Sequence, residues 1–330
     1  MSTRRPTLLL CLLLAGIGAG SARSDDAPPP PAFDVPDRGA GRQRTVAVSF
    51  EDWVFWWHRN TDRLEAGAAP AQRIPGKGAH AALHAHVRQS LRTLDTAPHH
   101  QAIRMEAIRA LARSTDDARD ATRLTRILAD PKRGVLEREA AAIGLGMLRR
   151  SDPARVFPVA VYTAARGALM TAFEDSSHGA KTRAFAALAI GMLADQAYED
   201  GETSPEAITT WIGERLKGHY ASPDLKVALL MTLGLQPRET ISPRHRTMLA
   251  EAVRQGRLLE DAVGDPLRSH AALTLGRIGT LSDVDVLKQA LRQRRGMSKN
   301  VHRSAAIALG RIARTHPEAA RGELVPWMLQ

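Results

Sequence analysis

The sequence predicts an all-α chain of about six stacked helical pairs, and three observations predict it. A similar string recurs along the chain: RMEAIRALAR from Arg104, REAAAIGLGML from Arg138, RAFAALAIGML from Arg183, KVALLMTLGL from Lys226, RSHAALTLGRIG from Arg268 and HRSAAIALGRIA from His302. A small residue sits near the middle of each copy, at Ala112, Gly146, Gly191, Gly234, Gly276 and Gly310, spaced by 34, 45, 43, 42 and 34 positions. A period in that range marks helical hairpins that bury their apolar faces on one another. Aromatic residues are only 4% of a chain that is 44% hydrophobic, so the core must be built from Ala, Leu, Ile and Met, which suits closely packed helices better than a sandwich.

Taken in order, residues 1–24 read as a signal peptide: Arg4 and Arg5, an apolar run from Thr7 to Gly20, then small residues around Ser21, Ala22 and Ser24. Cleavage after Ala22 or after Ser24 fits equally. The run is shorter than the roughly 20 apolar residues of a membrane-spanning helix, and no later segment qualifies. The expected address is therefore periplasmic or extracellular, with no transmembrane segment after the signal. Cys11, the lone cysteine, lies inside this run, so the mature chain has no thiol for disulfides or zinc. Residues 25–48, rich in Pro, Gly and Asp, read as a disordered linker.

Residues 49–78 read as a Trp-rich capping segment. Ser49 and Asp52 form a capping box, and Trp53, Trp56 and Trp57 fall on one helix face with Asn60. Such a helix seals the open apolar end of a repeat array; an exposed aromatic anchor is the alternative. The repeats occupy 79–330. The first helices of the pairs are expected near 79–95, 116–129, 153–173, 205–219, 243–257 and 282–293. Asp152-Pro153, Ser204-Pro205, Ser222-Pro223, Ser242-Pro243 and Asp265-Pro266 each set a capping side chain before a proline that suits a first turn. Pro158 is expected to break the third first helix near Val156 or Phe157.

The copy DPLRSHAALTLGRIG, residues 265–279, resembles the HEAT repeat in its Asp-Pro, the basic residue after it, its paired alanines and its Leu-Gly. The likeness extends over about residues 79–315 and is weakest where Ala112 replaces glycine. The pattern Trp-x-x-Trp-Trp-x-x-Asn-x-Asp also resembles a segment that precedes the repeats in some secreted bacterial HEAT-repeat proteins. The resemblance implies an armadillo-like, right-handed α-solenoid that binds a protein or peptide on its concave side, where the second helix of each pair lies.

Counting from the small anchor, positions −6, −2 and +1 of the second helices are the expected open face. They give an apolar middle with Met147, Phe185, Met192 and Leu235, and a polar end with His270, Arg277 and Arg311. A partner segment with apolar side chains and an acidic end would suit that strip. The basic residue eight before the anchor (Arg104, Arg138, Arg183, Lys226, Arg268) falls in the buried arc and is expected to bond to carbonyls or to acids such as Asp265.

A second surface competes. Arg292, Arg294, Arg295, Lys299 and Arg303 form a cationic turn in a chain of formal charge +11, fit to dock on anionic envelope polymers or lipid headgroups. Nucleic acid is disfavoured for an exported chain with no aromatics interleaved there. His80 and His84, one helical turn apart, could share a metal ion, which keeps a metal-dependent enzyme as a third reading. No phosphate loop, nucleophile elbow or dinucleotide fingerprint is present. The expectation from sequence is a non-enzymatic scaffold with no cofactor.

Overall fold

The computed structural model of the chain describes residues 77–96, 100–148, 157–193, 205–293, 296–317, 322 and 327. They belong to the unit Val48–Gln330, the other unit being Met1–Ala47. The expected signal peptide, linker and capping residues Trp53, Trp56 and Trp57 lie outside the described residues, as do the side chains of His80 and His84.

Among the described residues there are twelve α-helices: α1 Lys77–Thr96, α2 Gln101–Ser114, α3 Ala118–Ala129, α4 Val135–Gly146, α5 Val159–Glu174, α6 Ala180–Met192, α7 Pro205–Leu216, α8 Pro223–Gly234, α9 Pro243–Gln255, α10 Asp265–Ile278, α11 Val284–Arg292 and α12 Lys299–Thr315. They pack as six successive pairs, α1 with α2 through α11 with α12. The recurring strings form the even-numbered helices, and each of these also packs on the even-numbered helix of the next pair. The chain is thus a helical, repeat-like arrangement. Among the described residues the one sheet is a short antiparallel ribbon, β1 Arg257–Leu258 with β2 Asp261–Ala262, which follows the left-handed Gly256 (φ 66°) at the end of α9.

Local signals place the helix ends. The Ser222 side chain accepts from Asp224 N at 3.3 Å and the Ser242 side chain from His245 N at 3.4 Å, so these two of the three Ser-Pro pairs cap as expected; Ser204 and Asp152-Pro153 lie outside the described residues. Asp265-Pro266 does not: Gly264 is the cap, and Asp265 is already the first helical residue, where its charge meets the helix dipole. Pro158 caps α5 with extended backbone (ψ 144°), so among the described residues that helix begins six positions later than Pro153 suggested.

The small anchors set the distance between pairs. A Cβ built on Gly146 would lie 2.8 Å from Ala189 Cα, and one on Gly276 only 2.5 Å from Ala308 Cα. Gly146, Gly191 and Gly276 therefore meet the −2 residue of the next even-numbered helix backbone against backbone, while Gly234 meets the side chain of Thr274 at its −2 position. Threonines at −2 add a polar tie: Thr232 Oγ1 donates to Ala187 O at 2.7 Å, and Thr274 Oγ1 to Leu230 O at 2.9 Å. In the sixth copy Ala306 and Gly310 are exposed among the described residues, whereas their equivalents Ala272 and Gly276 are buried.

The cations eight before the anchor do act as struts. Arg104 Nε donates to Glu137 at 2.7 Å, and Arg138 meets His178 Nδ1 at 2.9 Å. Arg183 Nε donates to Phe173 O at 2.7 Å and Lys226 to Asp261 at 2.7 Å. Arg268 donates to Val253 O and Gly296 O, each at 3.0 Å. Four of these ties, from Arg104, Arg138, Lys226 and Arg268 (to Gly296), cross to the next pair, and Arg183 and Arg268 also satisfy carbonyls at the ends of α5 and α9 that no helical N–H can reach. The acids are Glu137 and Asp261; Asp265, the expected one, takes no part.

Candidate functional site

Of the strip expected to bind a partner, the structure opens only part. The +1 residues Met147, Met192, Leu235 and Arg277 are half-buried at equivalent places on α4, α6, α8 and α10. Leu235 leans over Gly191 of the preceding pair, its Cδ1 3.0 Å from where a Cβ would stand. From the second copy on, the −2 residues Gly144, Ala189, Thr232, Thr274 and Ala308 are not part of the open face, because the approach of the preceding even-numbered helix buries them, whereas Ala110 in the first copy is half-buried. Phe185, His270 and Arg311 are corrections of the same kind, being only 6%, 5% and 7% exposed. The Phe185 ring lies beneath Lys181, whose Nζ is 5.8 Å from the ring centroid. The candidate surface is therefore a narrow rim of one residue per pair, running from three apolar side chains to a cation.

Burial of His270 has a measurable result. Desolvation lowers its pKa from 6.5 to about 4. The unfolded chain takes up this proton near pH 6.5 and the folded chain does not until about pH 4. The stability this site contributes is thus whole above pH 6.5, declines as the pH falls through the window, and is lost below pH 4, a total of about 3 kcal/mol. His178 and His245 are also lowered by burial and pull in the same direction. Urea midpoints between pH 7 and pH 4 should fall less steeply in His270→Leu than in the parent chain.

The described residues that flank the centre of the cationic turn make several ties. Lys299 and Arg303 are exposed at the start of α12, where Ser298 caps Val301 N at 3.4 Å. His302 Nε2 lies 2.9 Å from Gln293 O, and Gly296 (φ 77°) turns the chain while its carbonyl receives Arg268. The Arg292 guanidinium and Lys288 Nζ each lie 5.6 Å from the centroid of Trp327, the fourth-last residue. Arg294 and Arg295 lie outside the described residues. Among the described residues, no group of three or more His, Cys, Asp or Glu could hold a metal ion.

No family model matches the chain. No curated protein matches it either. Among solved structures it is similar to human deoxyhypusine hydroxylase in complex with glycerol, at 15% identity and a TM-score of 0.27, over 79% of this chain and 99% of that one. That protein is an enzyme, so the expectation of a non-enzymatic chain is withdrawn. A likeness at that TM-score assigns no activity in its place. No described helix is long and apolar enough to cross a membrane.

Proposed function

We propose that this chain is an exported, HEAT-like solenoid that binds a protein or peptide segment along the rim formed by Met147, Met192, Leu235 and Arg277. The observation that carries this reading is the repetition: four consecutive pairs each leave the same position half-open, three with apolar side chains and the fourth with a guanidinium. An extended segment laid along that row would place an apolar side chain against each of the first three and a carboxylate at Arg277. Two of the three are methionines, whose flexible thioethers fit several shapes. Export is supported by the basic, apolar and small-residue order of positions 1–24.

A library of phage-displayed peptides panned on the full chain tests it. Selected peptides should carry apolar residues and an acidic end, and Met192→Asp and Arg277→Glu should each weaken a selected peptide at least about tenfold. The exposed Lys299 and Arg303 favour a second reading, docking on an anionic envelope surface. Capture that ignores both rim variants but disappears in Lys299→Glu/Arg303→Glu and at moderate salt would select that reading instead.

A further inference from the structure

An open, shallow cleft of about 530 Å³ lies between the first helices of two successive pairs, lined by Met170, Thr171 and Glu174 of α5, by Asp175 at its C-terminal cap, and by Trp211 and Arg215 of α7. It belongs to neither the rim nor the cationic turn. Its centre is an aromatic platform that other groups hold still. Phe173 meets Trp211 edge-on, with ring centroids 5.3 Å apart and planes at 70°. Phe173 is itself fully buried and also meets Tyr220 edge-on at 6.0 Å, while Tyr220 OH donates to Arg215 O at 2.9 Å. Trp211 remains half-exposed.

Planar polar groups surround the platform. Arg215 lies with its guanidinium 5.6 Å from the Trp211 centroid and pairs with Glu174 across the cleft. Asp175 is held ionised by hydrogen bonds from Ser177, which lower its pKa. Among the described residues, neither the Trp211 indole N–H nor the Thr171 hydroxyl makes a side-chain hydrogen bond, so both are available to a ligand.

The charge balance decides the class of ligand. Within the lining Glu174 is matched by Arg215, and Arg183, which lies outside the lining 5.6 Å from the Phe173 ring, adds positive charge that bears on Asp175. An ion entering this cleft gains no net field and must displace a pair already made. A neutral polyhydroxylated ring gains more: its aliphatic C–H face can lie on the indole, and its hydroxyls can reach carboxylate, guanidinium, indole N–H and threonine hydroxyl. The volume admits one or two such rings and lies within the usual range for a small-ligand site. We propose that this cleft binds a pyranose ring of a saccharide.

Saturation-transfer NMR on the full chain tests it, with cellohexaose, maltohexaose and chitohexaose as probes and octa-arginine as the ionic competitor. At least one hexaose should receive transfer at its ring C–H protons, and octa-arginine should not displace it. Trp211→Leu should cut the transfer at least fivefold. Thr171→Trp should do the same by filling the cleft from an exposed position that the fold does not need, with circular dichroism confirming that the helices are kept. Trp327→Leu, on another face, should leave the signal unchanged. Transfer from none of the three hexaoses, transfer indifferent to both cleft variants, or displacement by octa-arginine would overturn the proposal.

Discussion

Arg92→Ala should destabilise the chain by about 3 kcal/mol, although Arg92 is an arginine near the surface. Its guanidinium reaches from α1 to α3, donating from Nε to Asp120 Oδ1 at 2.6 Å and from NH2 to Asp120 Oδ2 at 2.8 Å and Asp117 Oδ2 at 3.0 Å. The Asp120 side chain is only 2% exposed and also accepts from the Thr115 hydroxyl at 2.6 Å. Removing the arginine leaves a buried carboxylate with one neutral donor, and such breakage typically costs 3–5 kcal/mol. The lower end applies because the Arg92 side chain is 25% exposed and water can partly replace it. Replacing both partners, as in Arg92→Met/Asp120→Leu, should recover most of the loss, since a buried ion pair is worth little against apolar groups of similar size. Urea denaturation of the three variants measures this. A single-variant loss below about 1 kcal/mol would show that this tie does not join the first two pairs.

The six pairs were legible in the sequence because each second helix repeats one physical requirement. A small anchor is needed wherever the next backbone comes within van der Waals contact, and Gly146, Gly191 and Gly276 mark those places directly. The struts at −8 were legible for the same reason, since a cation in a buried arc must find a partner. Its partner was not legible: Lys226 reaches Asp261 on the small ribbon, whose place depends on how α9 ends at Gly256.

The open face is narrower than the expected strip, keeping the +1 positions of four pairs and losing −2 and −6 there. Residues at −2 and −6 lie beside the rim on a helical wheel, and the period alone does not say which side of the wheel the next pair covers. Thr232 and Thr274 carried a signal that could have settled it, because a hydroxyl in the middle of an apolar helix needs an acceptor, and here it is the carbonyl of the previous helix. The Trp211 cleft left no local signal. Arg215 and Glu174 are 41 residues apart on first helices, which carry no recurring string, and only the stacking of pairs brings them together.

Stacking through the anchors is the claim on which the fold, the rim and the cleft all rest, and two glycine variants test it with opposite expected signs. An alanine in a helix interior is intrinsically more stable than glycine by about 0.5–1 kcal/mol. Gly310 is exposed, with no described atom within 4 Å of a built Cβ, so Gly310→Ala should gain that amount. At Gly276 the same methyl would stand 2.5 Å from Ala308 Cα and 3.1 Å from Ala308 O, where backbone must move, so Gly276→Ala should lose about 2–3 kcal/mol despite its better helix propensity. The deciding measurement is the difference in unfolding free energy between Gly276→Ala and Gly310→Ala in one urea series. A gap of about 3 kcal/mol in favour of Gly310→Ala is the result expected, and two variants that are equally stabilised would contradict the stacked arrangement.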